Sequence, residues 1–393
     1  MNKNYSKNMK KALVVTTVAS TLDQFCMNDI YILQRSYDVF VAANFKSGNN
    51  TSNERVKEFK YELQRKSIKF YDINFNRSPL SKDNLFAYKE IKKIIENNSF
   101  DIIHCHTPVA AMLVRLAARK ARKDGTKVIY TAHGFHFYQG APIKNWIIYY
   151  PIEYLLSMFT DILITINKED FIRANKSFKA KSINYIPGVG LDIEKFSAEN
   201  VDKRLKRREL KLPEEALVFL SIGELNKNKN HETVIKAIAE LMNKDLYYVI
   251  CGQGSLESYL KELVADLGLE QQVKLLGFRQ DIAEICKVSD VFVFPSFREG
   301  LSVALMEAMA FKLPIICSKI RGNTDLIDEG DGGFIISNPA DYQRFSVAID
   351  KMINISKEQR GAMGRYNQRK VAEFSIEVVN TRLRKIYSEA SKI

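Results

Sequence analysis

Cysteine is sparse in this 393-residue chain: five residues, at 26, 105, 251, 286 and 317, with no Cys-x-x-Cys pair. An odd number at such wide spacing implies neither a disulfide framework nor a zinc site, and it fits a reducing cytosol. No apolar run reaches the roughly 20 residues that a membrane-crossing helix needs. The best stretch, 146–159, contains Pro151 and Glu153 and reads as a buried or interfacial helix. The apolar start at 10–20 is short and β-branched, so a first buried strand is expected rather than a signal peptide. Low-complexity tracts and short-period repeats are missing. So is any basic patch with aromatic or motif support for nucleic acid.

What is present describes a soluble globular chain: 46% hydrophobic and 27% charged residues. The length exceeds one ordinary core, so two domains are expected. The net charge of +13 lies entirely in the first half. Residues 1–188 hold 29 Lys+Arg against 16 Asp+Glu, whereas residues 189–393 hold 30 of each. A basic half suggests an anionic surface or substrate. In that half, Arg115, Arg119 and Arg122 share one face of the helical pattern 109–123 and suggest contact with an anionic membrane.

Short β-rich runs alternate with helical patterns along the whole chain. Strands are expected at 12–18, 38–43, 68–73, 101–105, 127–132, 161–166 and 183–186. A second series is expected at 217–222, 246–251, 273–276, 291–294, 315–317 and 333–336. Continuous apolar strands separated by helices imply parallel sheets covered on both faces. The turn-rich segment Pro187-Gly188-Val189-Gly190 marks the join. The expected domains are 1–188 and 189–374, with a C-terminal helix within 375–393 that packs back on the first. Ligands of doubly wound sheets bind where strands end and loops lead into helices.

The most informative such place is 295–310. An apolar strand ends at Phe294, a loop carries Glu299 and Gly300, and a helix begins near Ser302. Free N–H groups at a helix start favour an anion such as phosphate, and Gly300 permits close backbone approach. Glu307 sits among Leu305, Met306, Ala308 and Met309, where an unpaired carboxylate is costly. Two carboxylates at 299 and 307 suit the hydroxyls of a polyol. A second loop, 221–230, follows Gly223 and carries Lys227 and Lys229, cations able to neutralise a departing diphosphate. A third place is Tyr130-Thr131-Ala132-His133-Gly134, with a histidine at a strand end. His104 and His106 alternate at another strand end; no carboxylate or Cys partner is evident, and strand packing is the simpler reading.

The Glu-x7-Glu pattern with its flanks, Pro295-Ser296 before and Glu307-Ala308-Met309-Ala310 with Pro314-Ile315-Ile316 after, resembles the signature of retaining glycosyltransferases of family 4. The resemblance covers nearly the whole chain. It implies a GT-B fold: α/β, two tandem Rossmann-like doubly wound domains facing across a cleft. In such enzymes the first Glu contacts the donor sugar, the following amides contact sugar and phosphate, and the second Glu holds the ribose. Here these are Glu299, then Gly300, Leu301 and Ser302, then Glu307. The family lysine corresponds to Lys229, but Glu224 stands where the family has Arg. Gly223 opens this loop, and the loop Gly277-Phe278-Arg279 corresponds to the one that touches the nucleobase. His133 corresponds to the family histidine near the reacting end, with His136 as a second candidate. Many relatives carry a glycine pair in the first loop; Ser20 is the substitute here. The stretch 133–148 is similar to bacterial capsule and exopolysaccharide transferases.

The expected activity is transfer from a UDP-sugar, of GlcNAc, GalNAc, Gal or Glc type, to a lipid-diphosphate-linked saccharide. The expected place is the inner face of the plasma membrane, with peripheral attachment. With no Asp-x-Asp pair, no metal–diphosphate bridge and no other cofactor is expected. Alternatives on the same fold are a nucleotide-sugar epimerase or a sugar phosphorylase. A non-enzyme alternative is a basic membrane-binding module with a degenerate cleft, which Glu224 in place of Arg would suggest. Residues 251–254, Cys-Gly-Gln-Gly, follow a strand without completing a dinucleotide fingerprint.

Overall fold

The computed structural model describes residues 9–196 and 201–392. Its chain divides into two units, residues 1–189 with 377–393, and residues 190–376. The first unit contains seven strands: β1 (Lys10–Val18), β2 (Tyr37–Asn44), β3 (Lys69–Asp72), β4 (Ile102–His106), β5 (Lys127–Ala132), β6 (Ile162–Thr165) and β7 (Ser182–Tyr185). They form one parallel sheet in the order β3-β2-β1-β4-β5-β6-β7. The middles of the central strands are apolar and buried because helices cover both faces; Leu13, Ile103, Val128 and Ile164 are fully buried.

The last helix, Ile376–Ala390, docks on this first unit. The Tyr387 hydroxyl donates to Asp29 Oδ1 (2.7 Å) and meets His104 Nδ1 at 2.8 Å, and Asn28 pairs with Asn380. Val379, Leu383 and Ile386 supply its buried stripe at helical spacing.

The second unit has six parallel strands: β8 (Leu217–Ile222), β9 (Leu246–Cys251), β10 (Val273–Gly277), β11 (Val291–Phe294), β12 (Ile315–Ser318) and β13 (Gly333–Ile336), in the order β10-β9-β8-β11-β12-β13. In both sheets the order reverses beside the first strand, between β1 and β4 and between β8 and β11. Loops leaving these adjacent strands diverge to opposite faces and open a crevice at the carboxyl edge.

The pattern 109–123 is not one helix. It breaks at Ala118 into Pro108–Ala117 and Arg119–Lys123. The expected shared arginine face is therefore corrected. Arg115 is buried, its Nη1 lies 2.9 Å from Glu153 Oε2, and its guanidinium stacks 4.2 Å from the Tyr130 ring centre. Arg122 turns to Asp161 and the carbonyl of Met158. Only Arg119 of the three stays exposed, lying over Phe159.

Candidate active site

Two loops of the second unit meet at its reversal point. The loop after β8 carries Gly223 to Asn230, and the loop after β11 carries Pro295 to Ser302. They are joined by backbone and side-chain bonds. Phe297 N donates to Asn228 O (2.8 Å), Asn228 Nδ2 donates to Arg298 O (2.9 Å), and Asn230 Nδ2 donates to Pro295 O (3.0 Å). Asn230 takes a left-handed conformation (φ 57°), which asparagine tolerates better than most residues, and it leads into the helix His231–Leu241. These bonds hold Lys229 over the Phe294 ring, 4.8 Å from its centre, with Nζ 2.8 Å from Glu299 Oε1. The lysine and the glutamate expected from the sequence thus share one place, although 70 positions separate them.

The 303–310 helix starts as expected. Ser302 is its N-cap, accepting from Leu305 N at 3.3 Å. Glu307 lies one to two turns in, half-buried, and its carboxylate has no hydrogen-bond or ion-pair partner among the described residues. Burial pushes its pKa up to about 7. A carboxylate held in that state stores a capacity for hydrogen bonds that a polar ligand can satisfy.

Three supports of these loops escaped the sequence reading. Arg321 Nε donates to Glu299 O at 3.0 Å. Next to it Gly322 has φ +82°, and a Cβ there would stand 2.2 Å from Gly300 O. Gly252 and Gly254 press against the other loop, where a Cβ would approach Gly223 O to 1.9 Å and Leu225 O to 2.4 Å. The Cys-Gly-Gln-Gly segment is thus a buttress of the lysine loop. Its signal was the pair of glycines straight after a strand, where close backbone approach is the physical reason for lacking a side chain.

Other expected residues fall as follows. Glu224 and Lys227 are exposed, and Glu224 forms no ion pair among the described residues. Phe278 is exposed at the end of β10, with its ring free to stack. Arg279 is largely committed elsewhere: its Nε donates to Asp281 (2.7 Å) and its Nη2 to Glu209 (2.7 Å). Ser20 is buried; its Oγ accepts from Asn50 N (3.1 Å) and its N donates to Asn49 Oδ1 (2.8 Å), tying down a neighbouring loop.

In the first unit, His133 follows β5 directly, before Gly134 (φ +142°). Its Nε2 lies 3.1 Å from His106 Nδ1, and burial lowers its pKa to about 4, so the ring is neutral near pH 7. His136 stacks on Tyr149, 4.6 Å between ring centres. His104, whose pKa burial lowers to about 3, bonds Tyr387 and Thr131 through its two ring nitrogens. A carboxylate partner for the His104–His106 pair, not evident in the sequence, is supplied by Asp29: one ligand atom from each lies within 4.8 Å of the others. Both nitrogens of His104 are nevertheless engaged in packing bonds.

Two doubly wound parallel sheets in tandem, with acidic and basic groups gathered at a reversal point, define the GT-B class. Comparison with solved structures agrees. The chain superposes on Anabaena HepE, solved in complex with UDP and glucose, with TM-score 0.75 and 19% identity, covering 96% of this chain and 100% of that one. It superposes on WaaG, a glycosyltransferase of lipopolysaccharide biosynthesis, with TM-score 0.71 and 14% identity, covering 95% and 99%. The family model for glycosyl transferases group 1 matches residues 202–370, and that for glycosyl transferase 4-like proteins matches residues 31–167. The EpsD protein of Bacillus subtilis (strain 168), a glycosyltransferase by its name, is 42% identical over 270 residues, 68% of this chain and 71% of that protein. An Escherichia coli enzyme, UDP-Gal:alpha-D-GlcNAc-diphosphoundecaprenol alpha-1,3-galactosyltransferase, is 34% identical over 275 residues, 67% and 70% of the two chains. Staphylococcus aureus CapM, a capsular polysaccharide biosynthesis glycosyltransferase, is 24% identical over 337 residues, 82% and 87%. The chain belongs to the group 1, family 4-like glycosyltransferases. It is a hexosyltransferase-class enzyme of polysaccharide biosynthesis.

Proposed function

We propose that the chain transfers a sugar from a UDP-sugar of GlcNAc, GalNAc, Gal or Glc type to a hydroxyl of a lipid-diphosphate-linked saccharide, with retention at the anomeric carbon and without a metal ion. The observation that carries this reading is the Lys229–Glu299 pair at the reversal point, close to a helix start and to a half-buried carboxylate at Glu307 that lacks a protein partner. Glu299 orients the sugar hydroxyls. Lys229 and the amides of Gly300, Leu301 and Ser302 receive the diphosphate. Glu307 accepts from the ribose hydroxyls, which supply the bonds its position lacks. Phe278 and the backbone of Arg279 face the base, and Gly223 leaves room for the lysine. His133 is the matching histidine of the first unit.

In the reaction the bond from C1 to the diphosphate oxygen breaks and the bond from the acceptor oxygen to C1 forms on the same face. The acceptor's proton passes to the leaving diphosphate oxygen, so no separate base is required. Lys229 stabilises the negative charge that grows on that oxygen. Glu224, standing where the family has Arg, is exposed and unpaired among the described residues. It leaves Lys229 in place as the site's cation, which favours an active enzyme over a degenerate binding module.

The relatives support the acceptor class. One acts on a diphosphoundecaprenol-linked sugar. A peripheral position on the inner face of the plasma membrane follows from such an acceptor. The first unit offers a fitting surface: exposed Ile143, Ile147, Leu155 and Met158 on and after the helix Ile143–Ser157, beside exposed Arg119, Lys120 and Lys123. No helix among the described residues is long and apolar enough to cross a membrane.

A thermal-shift screen of UDP-, GDP- and dTDP-sugars, followed by transfer assays on lipid-diphosphate saccharides, tests the reading. UDP-sugars should stabilise the protein most, and UDP should be released only when acceptor is present. Stabilisation by GDP- or dTDP-sugars alone would overturn the donor assignment. Epimerised free nucleotide sugar without a glycosylated product would overturn the transfer.

A further inference from the structure

The first unit holds a cavity of about 480 Å³, with His136 among its lining residues. It lies at the carboxyl edge of the sheet, where Thr17 and Val18 end β1, Thr107 follows β4 and Gly134 follows β5. Its walls are mostly apolar, with Val109, Met112, Phe135, Phe137 and Ile152 among them. On its floor the Glu153 carboxylate is charge-paired with Arg115 at 2.9 Å and accepts from the Tyr130 hydroxyl at 3.4 Å, while the buried Arg115 Nη2 has no hydrogen-bond partner. The apolar walls offer few partners for the hydroxyls of a sugar.

The mouth is different. Leu80 is 93% exposed and Ile148 is 52% exposed, both lining the opening. Ile148 belongs to the helix that also presents Ile143, Ile147 and Leu155 to solvent, so exposed apolar side chains continue from the cavity mouth along that helix. A cluster of exposed apolar side chains of this kind marks an interaction site. Arg77 also lines the mouth; it is exposed, and among the described residues it has no hydrogen bond or ion pair. An apolar hole, an apolar apron and one uncommitted guanidinium at their junction match a molecule with a hydrocarbon chain and a phosphate at the chain's head. Arginine's planar fork suits a diphosphate in particular.

We propose that this cavity receives the first isoprenoid units of the acceptor lipid, and that Arg77 binds its diphosphate. This rests on the lipid-diphosphate acceptor proposed above. The apolar helix face lies in the outer part of the bilayer leaflet, and the chain bends from the leaflet into the cavity. The saccharide then stands at the carboxyl edge of β1, β4 and β5, on the side of His133. Arg77 is a positioning residue for the lipid head.

The test is direct binding by calorimetry to the full chain, with farnesyl diphosphate as the probe and inorganic diphosphate and dodecyl phosphate as controls. Farnesyl diphosphate should bind about tenfold or more tightly than either control. Val109→Trp, which fills the cavity, should weaken farnesyl diphosphate about tenfold or more and leave inorganic diphosphate unchanged. Arg77→Ala should weaken farnesyl diphosphate about tenfold. If Val109→Trp melts well below the natural chain, Met112→Phe takes its place with the same expectation. Equal binding of farnesyl diphosphate and inorganic diphosphate would overturn the cavity assignment. So would natural affinity in a folded, filled variant. Equal binding of dodecyl phosphate would overturn the isoprenoid diphosphate in favour of any anionic lipid. Because no donor sugar is needed, failed binding sinks the cavity alone, whereas failed sugar transfer with intact binding sinks the proposed reaction alone.

Discussion

The Lys229 ammonium stands 2.8 Å from the Glu299 carboxylate, joining the loop that leaves β8 to the loop that leaves β11. Each group keeps the other's charge compensated until a donor arrives. In the proposed reaction a diphosphate draws the ammonium and sugar hydroxyls draw the carboxylate, so the pair exchanges one set of partners for another. Lys229→Ala should lower the turnover rate about 10²- to 10³-fold, the usual effect of losing a charge stabiliser in the transition state. Lys229→Arg should recover only part of it. The melting temperature should change little, since partly exposed ion pairs contribute at most about 1 kcal/mol. Steady-state kinetics and a thermal melt check both.

Glu307 should make nucleotide binding depend on pH. Burial holds its pKa up to about 7 in the free protein. Hydrogen bonds from ribose hydroxyls favour the ionised form, so binding releases a proton. UDP affinity should rise as pH increases through about 7, and Glu307→Gln should remove that part of the profile. Parallel calorimetric titrations of the two proteins between pH 6 and 8 decide it; identical profiles would contradict the assignment.

Acid should destabilise the fold through its histidines. Burial lowers His104 to about 3 and His133 and His231 to about 4, and pushes His106 down as well, from ordinary values near 6.5. The unfolded chain therefore binds more protons at these four sites between about pH 4 and 6.5, and stability rises with pH there. Asp29, raised to about 6, and Glu307, raised to about 7, act in the opposite sense. Four groups outweigh two. The melting temperature should climb from pH 4.5 to 6 and then level off, which a scan of melts against pH will show.

Tyr387 fastens the last helix to the first sheet through one hydroxyl shared by Asp29 and His104. Tyr387→Phe should cost about 1–3 kcal/mol, because it leaves buried polar partners unmatched. Chemical denaturation measures this. A loss below about 0.5 kcal/mol would mean that apolar packing alone holds the helix.

Gly252→Ala should disturb the lysine loop without touching a ligand. The new Cβ would meet the Gly223 carbonyl oxygen at 1.9 Å, and the residue's φ of +155° disfavours a side chain as well. Reduced thermal stabilisation by UDP, larger than the loss of stability itself, is the expected signature.

Much of the fold could be read from residue order because its strands are continuous apolar runs. β8, β9, β11 and β13 begin and end where the pattern places them, and β1 extends two residues earlier, to Lys10. The site was readable where chemistry is local: Ser302 caps its helix as its position before an apolar run implies. What escaped depends on neighbours distant in sequence. Arg115 looked like a surface cation until Glu153, 38 positions away, provided a buried partner. Asp29 completes a histidine cluster from another element, and Arg321 holds Glu299 from a turn after β12. The committed guanidinium of Arg279 belongs to the same class, since Glu209 reaches it from a helix 70 positions earlier.

The most direct measurement is UDP release from a panel of UDP-sugars in the presence of a lipid-diphosphate saccharide, comparing the natural chain with Glu299→Ala and Glu307→Ala. One donor should release UDP in step with glycosylated product, and each variant should lose about 10²-fold or more of that rate while keeping its melting temperature. Near-natural turnover in both folded variants would contradict the account.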